Sequence, residues 1–224
     1  MVMRCGAPTL KYGARVPTEQ PPDPTPRLAH RSDLGTVSRS LAAAFADDPV
    51  WEWLMPKGRN GGPNAEWVFR WIVAGHLGDQ SAWTLPGAEA TAVWALPGKH
   101  RTPTSRVLTA LPQFLWRLGF AGVSRLASLG EMERLHPSEP HWYLSLLGTH
   151  PDHQGHGLGT AVVAPGIAAA DAAGVGCYLE SSKEQNVPYY RRLGFEVTDT
   201  YDVANGRGPR LWLMWRDPVP PHSE

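Results

Sequence analysis

The sequence predicts an α/β fold, and three observations carry that prediction. Residues 141–195 alternate strand, helix, strand and short helix, an order that indicates an α/β sheet. Helical periodicities fill the N-terminal third and are followed by two short strand-like runs joined by a turn. The chain then closes on two more such runs, EVTDTYDVA and RLWLMWRD, joined by the turn NGRG.

Taken in order, residues 1–25 are polar, aperiodic and end in PTEQPPDPTP, so they read as a flexible tail. One domain over 26–217 and a C-terminal tail over 218–224 complete the organisation. PRLAH (26–30) is a short first strand. Ser32 and Asp33 are placed to cap LGTVSRSLAAAFADD, where Leu34, Val37, Leu41 and Phe45 recur at helical spacing and Pro49 closes the helix. VWEWLMP follows, then PKGRNGGPN as an exposed loop. AEWVFRWIVAGHL (65–77) is a second helix. SAWTLP and ATAVWALPG form an antiparallel pair around PGAE. Residues 103–136 hold one or two helices with breaks at Gly119 and Gly122. HWYLSLLGT (141–149) and GVGCYLESS are strands. LGTAVVAPGIAAADAAG between them is a helix ended by Gly174, and VPYYRRLGF is a short helix ended by Gly194. Pro165 removes one backbone donor from the first of these, which predicts a kink or local loosening.

The chain has 224 residues, enough for one domain with a large core. Its 21 basic and 21 acidic residues balance, so no nucleic-acid or membrane partner is expected. Two cysteines, Cys5 and Cys177, give neither a disulfide framework nor a zinc ribbon. With no signal peptide and no apolar run of membrane-spanning length, the expected location is the cytoplasm. Ten tryptophans are present, many of them in the N-terminal half. They serve either as core side chains or as walls of a pocket for an aromatic or cationic ligand.

HPDHQGHGLGT (150–160) joins the strand at 141–149 to the following helix. Gly155, Gly157 and Gly159 give G-x-G-x-G and then Thr160, which is not the dinucleotide fingerprint, and the Lys of a P-loop is missing. His150, His153 and His156 recur every third residue, but no Cys, carboxylate or distant His joins them in a zinc pattern, so no metal is expected. Two readings stay open on local physics. Free N–H groups at a helix start, approached by glycines without Cβ atoms, make a pyrophosphate cradle. A tight strand-to-helix turn needs the same small residues.

Gln154-Gly155-His156-Gly157-Leu158-Gly159 matches Q/R-x-x-G-x-G/A. About thirty residues on, NVPYYRRLGF supplies Asn186, Tyr190, Gly194 and Phe195. Together these resemble the GNAT acetyltransferases. LAAAFADDP, PDHQGHGLGTAVVAPGIAAA, YLESS and PYYRRLGF are similar to a branch of that family that acetylates the aminonucleoside antibiotic puromycin. The resemblance covers roughly residues 26–217 and is weakest over 50–140.

The resemblance implies a curved mixed sheet of about six or seven strands, with splayed central parallel strands and flanking helices. It implies acetyl-CoA as donor substrate, lying between HWYLSLLGT and GCYLESS. Leu147, Gly148 and Thr149 would meet the pantetheine, and Gln154, Gly155, His156, Gly157, Leu158, Gly159 and Thr160 the pyrophosphate. Asn186 and Tyr190 would complete that site. Tyr190 would be the general acid, the Leu147 N–H the oxyanion donor and Glu180 the candidate base, while Tyr189 is expected only to pack. Many relatives carry Lys or Arg where this chain has His156. A histidine there would make acetyl-CoA affinity fall as pH rises from about 6 to 8.

The acceptor is expected to be a small-molecule primary amine, bordered by Phe45, Trp51, Glu52 and Trp53, with Met55, Asp47 and Asp48 nearby. An aminonucleoside or other aromatic amine would suit such a wall. A protein or peptide N-acetyltransferase and a non-catalytic acyl-CoA sensor are the alternatives, and Tyr190 speaks against the sensor. The chain is expected to be a monomer or homodimer.

Overall fold

The computed structural model describes residues 25–55, 62–130 and 134–220. The expected tail over 1–25 lies almost wholly outside the described residues, as do Cys5, residues 56–61 of the expected loop and the last four residues. Seven strands form one sheet: β1 (Arg27–Leu28), β2 (Ala82–Thr84), β3 (Ala90–Ala95), β4 (His141–Thr149), β5 (Gly176–Ser181), β6 (Glu196–Asp202) and β7 (Arg210–Arg216), in the order β1-β2-β3-β4-β5-β7-β6. Every pairing is antiparallel except β4 with β5.

That parallel pair decides the architecture. Its register runs only from His141 opposite Gly176 to Tyr143 opposite Tyr178, although β4 continues to Thr149. Beyond Tyr143 the two strands diverge and leave a wedge in the middle of the sheet. A β-bulge sits on the other side of β4, where the register with β3 shifts at Val93/Trp94. Bulges bend and twist a strand, and this one lies where β4 leaves β5.

Helices cover both faces. Val93 and Leu146 point into a core shared with α1 (Leu34–Ala44), α3 (Gly62–His76) and α4 (Thr104–Gly130). Ala92, Trp94, Leu144 and Leu179 point the other way, onto α5 (Leu158–Ala173) and α6 (Val187–Arg192). Along β3 this is the two-residue alternation of a sheet buried on both sides, while Leu144 and Leu146 of β4, two apart yet on opposite faces, straddle the bulge. Trp94 is fully buried, and a Cβ on Gly166 of α5 would stand 2.2 Å from its indole nitrogen. At Gly166, α5 lies too close to the sheet for a side chain. The helix runs on through Pro165 to Ala173 and ends at Gly174, whose φ is 67°.

Four local expectations need correction. Pro49 opens a helix rather than closing one. α1 stops at Ala44, and Pro49–Leu54 forms α2, capped by the Asp48 carboxylate, which accepts from the N–H groups of Val50 (2.9 Å) and Trp51 (3.3 Å). Proline is as favourable at the first turn of a helix as it is disruptive inside one. Asp33 stands at the N-cap of α1 as expected, but its side chain makes no cap bond there and Ser32 lies a residue further back: both belong to a 3-10 turn, Arg31–Asp33, and the Asp33 carboxylate takes the His30 N–H at 2.8 Å and the Arg27 guanidinium at 2.7 and 2.9 Å. Residues 62–64 of the expected loop are already helical. In α4 only Gly119 leaves helical geometry (φ 69°, ψ 177°). Gly122 instead gives room for close packing, since a Cβ there would meet the Leu118 Cβ at 2.6 Å and the Leu54 carbonyl at 3.2 Å.

Candidate active site

β4 meets the wedge with a free edge. The His150 N–H donates to the Glu89 carbonyl at 2.8 Å, toward β3. Backbone groups of alternate residues face the same edge of a strand, so those of Leu147 and Thr149 face the wedge. Consistent with this, the Gln154 side-chain amide reaches back from the loop to the Thr149 carbonyl at 3.1 Å. The Thr149 carbonyl is thereby occupied, while no β5 partner is paired with Leu147.

The loop after β4 makes a 3-10 turn, Pro151–His153, then two glycines with positive φ, Gly155 (81°) and Gly157 (77°), before α5 begins. Those angles favour glycine over any residue with a Cβ. Gly159 faces the wedge: a Cβ there would lie 3.3 Å from both the Thr149 and the Tyr189 hydroxyl oxygens. The free N–H groups of the first turn of α5 open onto this space, and the helix dipole adds partial positive charge.

The resulting cavity, about 540 Å³, is lined by Phe45, Asp48, Leu147, Gly148, Thr149, Gln154, Gly155, Gly157, Leu158, Gly159, Thr160, Asn186 and Tyr190, among others. All but one of the residues expected to meet acetyl-CoA are thus in one place. His156 is the exception. It is exposed, and its Nδ1 lies 3.0 Å from the Gln154 carbonyl, so its ring is outside the wall. The turn at 151–153 brings His153 to the cavity in its stead. Two cations that sequence reasoning passed over, Lys183 and Arg192, also line it. Arg192 directly follows the YYR step of α6, and its place beside the tyrosines was the available signal. Tyr189 does more than pack, because it shares the wall with Tyr190 and brings its hydroxyl to Gly159. Burial raises the Tyr190 phenol above its ordinary value, with Tyr189 and Asp48 adding to the effect. It keeps its proton at neutral pH.

A second cavity, about 560 Å³, opens between the sheet and the N-terminal helices. Its walls are mostly apolar, with Phe45, Trp51, Leu54, Trp71, Phe114 and Leu146 among them. Phe45 and Asp48 line both cavities. Of the expected acceptor residues, Phe45 and Trp51 are here, their rings 6.3 Å apart and edge to face. Glu52 is exposed on the outer side of α2. Trp53 also points elsewhere: it packs in the cluster around Val203 and Leu211, with the Arg125 guanidinium 5.8 Å above its ring. One helical turn cannot aim three consecutive residues at one pocket. Met55 is buried in the core and Asp47 is exposed, paired with Lys183 at 2.6 Å.

Two carboxylates face the apolar space. Asp48 is buried, accepts from the Ser182 hydroxyl as well as the α2 N–H groups, and is raised above the usual carboxylate range by that burial. Glu180, two residues before Ser182, is buried in the wall of the same cavity. Burial pushes it up to about 7 against the opposing effect of the Tyr143 and Tyr178 hydroxyls, and its Oε1 has no hydrogen-bond partner. His136 stands 3.5 Å from that oxygen, and burial together with His100, His141 and Arg101 holds its imidazolium down at about 3. A hydrophobic pocket with a carboxylate poised near neutrality suits an amine that must lose a proton.

Comparisons with known proteins agree with this fold. Residues 100–195 match the model of the Acetyltransferase (GNAT) family. An uncharacterized N-acetyltransferase of Schizosaccharomyces pombe is 25% identical, over 83% of this chain and 80% of that protein. Among solved structures, a histone acetyltransferase HPA2 and related acetyltransferase from Corynebacterium glutamicum superposes with TM-score 0.62 at 24% identity, covering 89% of this chain and 98% of that one. Arylalkylamine N-acetyltransferase 2 from Aedes aegypti gives TM-score 0.61 at 13% identity, over 87% and 98%. A polyamine N-acetyltransferase from Drosophila melanogaster gives 0.58 at 12%, over 86% and 99%. At these identities the structures speak for the fold.

Proposed function

We propose that this chain is a GNAT-family acetyltransferase and that it moves the acetyl group of acetyl-CoA directly to the primary amine of a small molecule with an apolar or aromatic body. The observation that carries the reading is the junction of the two cavities at Phe45 and Asp48. One cavity has a helix N-terminus, glycines and two cations suited to a pyrophosphate. The other is an aromatic chamber with two buried carboxylates suited to an ammonium. An acetyl group reaching the end of the first would meet an amine in the second.

Each residue then has a task. Asp48 draws the ammonium to the junction. Glu180 takes its proton, because an ammonium has no lone pair with which to attack. The Leu147 N–H, on the edge of β4 that faces the wedge, donates to the carbonyl oxygen as negative charge gathers there. Tyr190, protonated, meets the departing sulfur as a donor. Lys183, Arg192 and the first turn of α5 hold the phosphates.

The fold neighbours that act on arylalkylamines and polyamines make those two amine classes the first candidates. Puromycin joins them through the sequence likeness described above. The test measures thiol release from acetyl-CoA against a panel of phenethylamine, agmatine, puromycin and a peptide with a free N-terminus. The reading predicts turnover with at least one of the three small amines, and Tyr190→Phe lowering kcat by about 10²-fold. Turnover only with the peptide would move the protein to the peptide-acetylating class. Acetyl-CoA binding without turnover on any amine would make it a sensor.

A further inference from the structure

The chemistry above leaves one constellation unused. His100 follows β3, His136 lies in the segment before β4, and His141 opens β4, yet the fold brings them together at one end of the sheet. One nitrogen of each ring lies within 4.8 Å of one from both others. His100 and His136 line the acceptor cavity, and His141 is 3% exposed.

We propose that His100, His136 and His141 form a binding site for a divalent transition-metal ion, zinc first among them, at the wall of the acceptor cavity beside Glu180. Three imidazoles without a thiolate or an oxygen cage suit zinc over magnesium or calcium, and they leave a fourth position open. Zinc–nitrogen bonds of about 2.0–2.1 Å in a tetrahedron set ligand nitrogens about 3.3 Å apart. His136 Nδ1 and His141 Nε2 are already 3.1 Å apart. His100, half-buried and stacked on His136 with ring centroids 4.5 Å apart, would turn inward to complete the site.

The hydrogen bonds around the pair support a cation between them. His141 Nδ1 is 2.7 Å from the Glu139 carbonyl, which only accepts, so Nδ1 carries the hydrogen and Nε2 a lone pair. His136 then stands between two acceptors, His141 Nε2 on one side and Glu180 Oε1 at 3.5 Å on the other. A neutral ring has one hydrogen for both. Given to Glu180, it leaves two lone pairs facing each other at the His136–His141 contact, and a metal ion there converts that opposition into two bonds. Outer groups of the kind that orient metal-bound histidines stand beside both rings, the Glu139 carbonyl hydrogen-bonded to His141 and the Glu180 carboxylate 3.5 Å from His136, close enough to become its partner when the metal binds. A proton on Glu180 is the competing way to satisfy the same atoms, and it needs no metal.

The test titrates zinc chloride into the metal-stripped full chain by calorimetry. One zinc per chain is expected. His136→Gln and His100→Asn should each weaken binding at least about 100-fold, and Glu180→Gln about tenfold. The double variant His150→Ala/His156→Ala should leave the titration unchanged. Circular dichroism checks that the variants fold. X-ray absorption on the zinc-loaded native chain, which needs no variant, should count three imidazole nitrogens. Absence of saturable one-to-one binding, a coordination shell with fewer than three imidazoles, or affinity retained in both folded histidine variants would overturn the site. The result is independent of acetyl transfer, since zinc binding is read without acetyl-CoA or amine.

Discussion

Glu180 and Tyr190 are both raised by burial, with opposite consequences for their roles. A carboxyl lifted to about 7 becomes a usable base for an ammonium, whereas a lifted phenol stays a donor. Glu180→Gln keeps the shape and removes the acceptor of the proton, so kcat should fall by about 10²-fold. Glu180 is outside the wall of the donor cavity, so acetyl-CoA affinity, read by calorimetry, should hold. A parallel loss of acetyl-CoA affinity would mean that the residue supports the fold rather than the chemistry. His156 and Arg192 make a second residue-scale comparison. Replacing a cation that touches phosphate removes a charge-assisted hydrogen bond, commonly about 1.5–3 kcal/mol. Arg192→Ala should therefore weaken acetyl-CoA binding about tenfold or more, and His156→Ala less than twofold. The G-x-G spacing was visible in the sequence, but the side of the loop on which each imidazole falls was not, because a single 3-10 turn at Pro151–His153 decides it.

Elements with a strong local pattern were legible. β4 spans the expected residues 141–149, and α5 begins at Leu158 and ends at Gly174 as expected. Elements whose signals cut both ways were not. Pro49 served equally as a stop for α1 or as the first residue of α2, and a buried Asp48 with two backbone donors made it the latter. That outcome matters for the site, since α2 turns Trp51 inward and Glu52 outward. The α5–sheet contact gives an element-scale prediction. Gly166→Ala would drive a methyl group into the Trp94 indole, where neither partner has room. Overpacking of this kind costs about 1–3 kcal/mol, so the urea midpoint should drop with an unchanged slope. An unaltered midpoint would show that α5 can lift off the sheet.

At the scale of the whole molecule, the proposed site lies where long-range pairing fails. The sequence carried both halves of the proposed donor site, 150–160 and 186–195, because each is a local motif. The gap between β4 and β5 that joins them depends on a register lost after Tyr143 and on a bulge in the neighbouring pair, neither of which leaves a sequence pattern. The acceptor cavity was less legible still. Its walls come from α2, α3, α4, β4, β5, β7 and the segment after α1, and the histidines at its end are brought together only by the fold. Among the described residues no helix is long and apolar enough to cross a membrane.

The claim on which the rest depends is that donor and acceptor meet where the two cavities share Phe45 and Asp48. A crystal structure of the chain with coenzyme A bound tests it most directly. The account predicts the pyrophosphate on the backbone of residues 154–160, the pantetheine along Leu147 and Thr149, and the thiol beside the Tyr190 hydroxyl, pointing at Asp48 and the aromatic chamber. A thiol directed away from that junction, or a pyrophosphate seated anywhere other than at the start of α5, would contradict it.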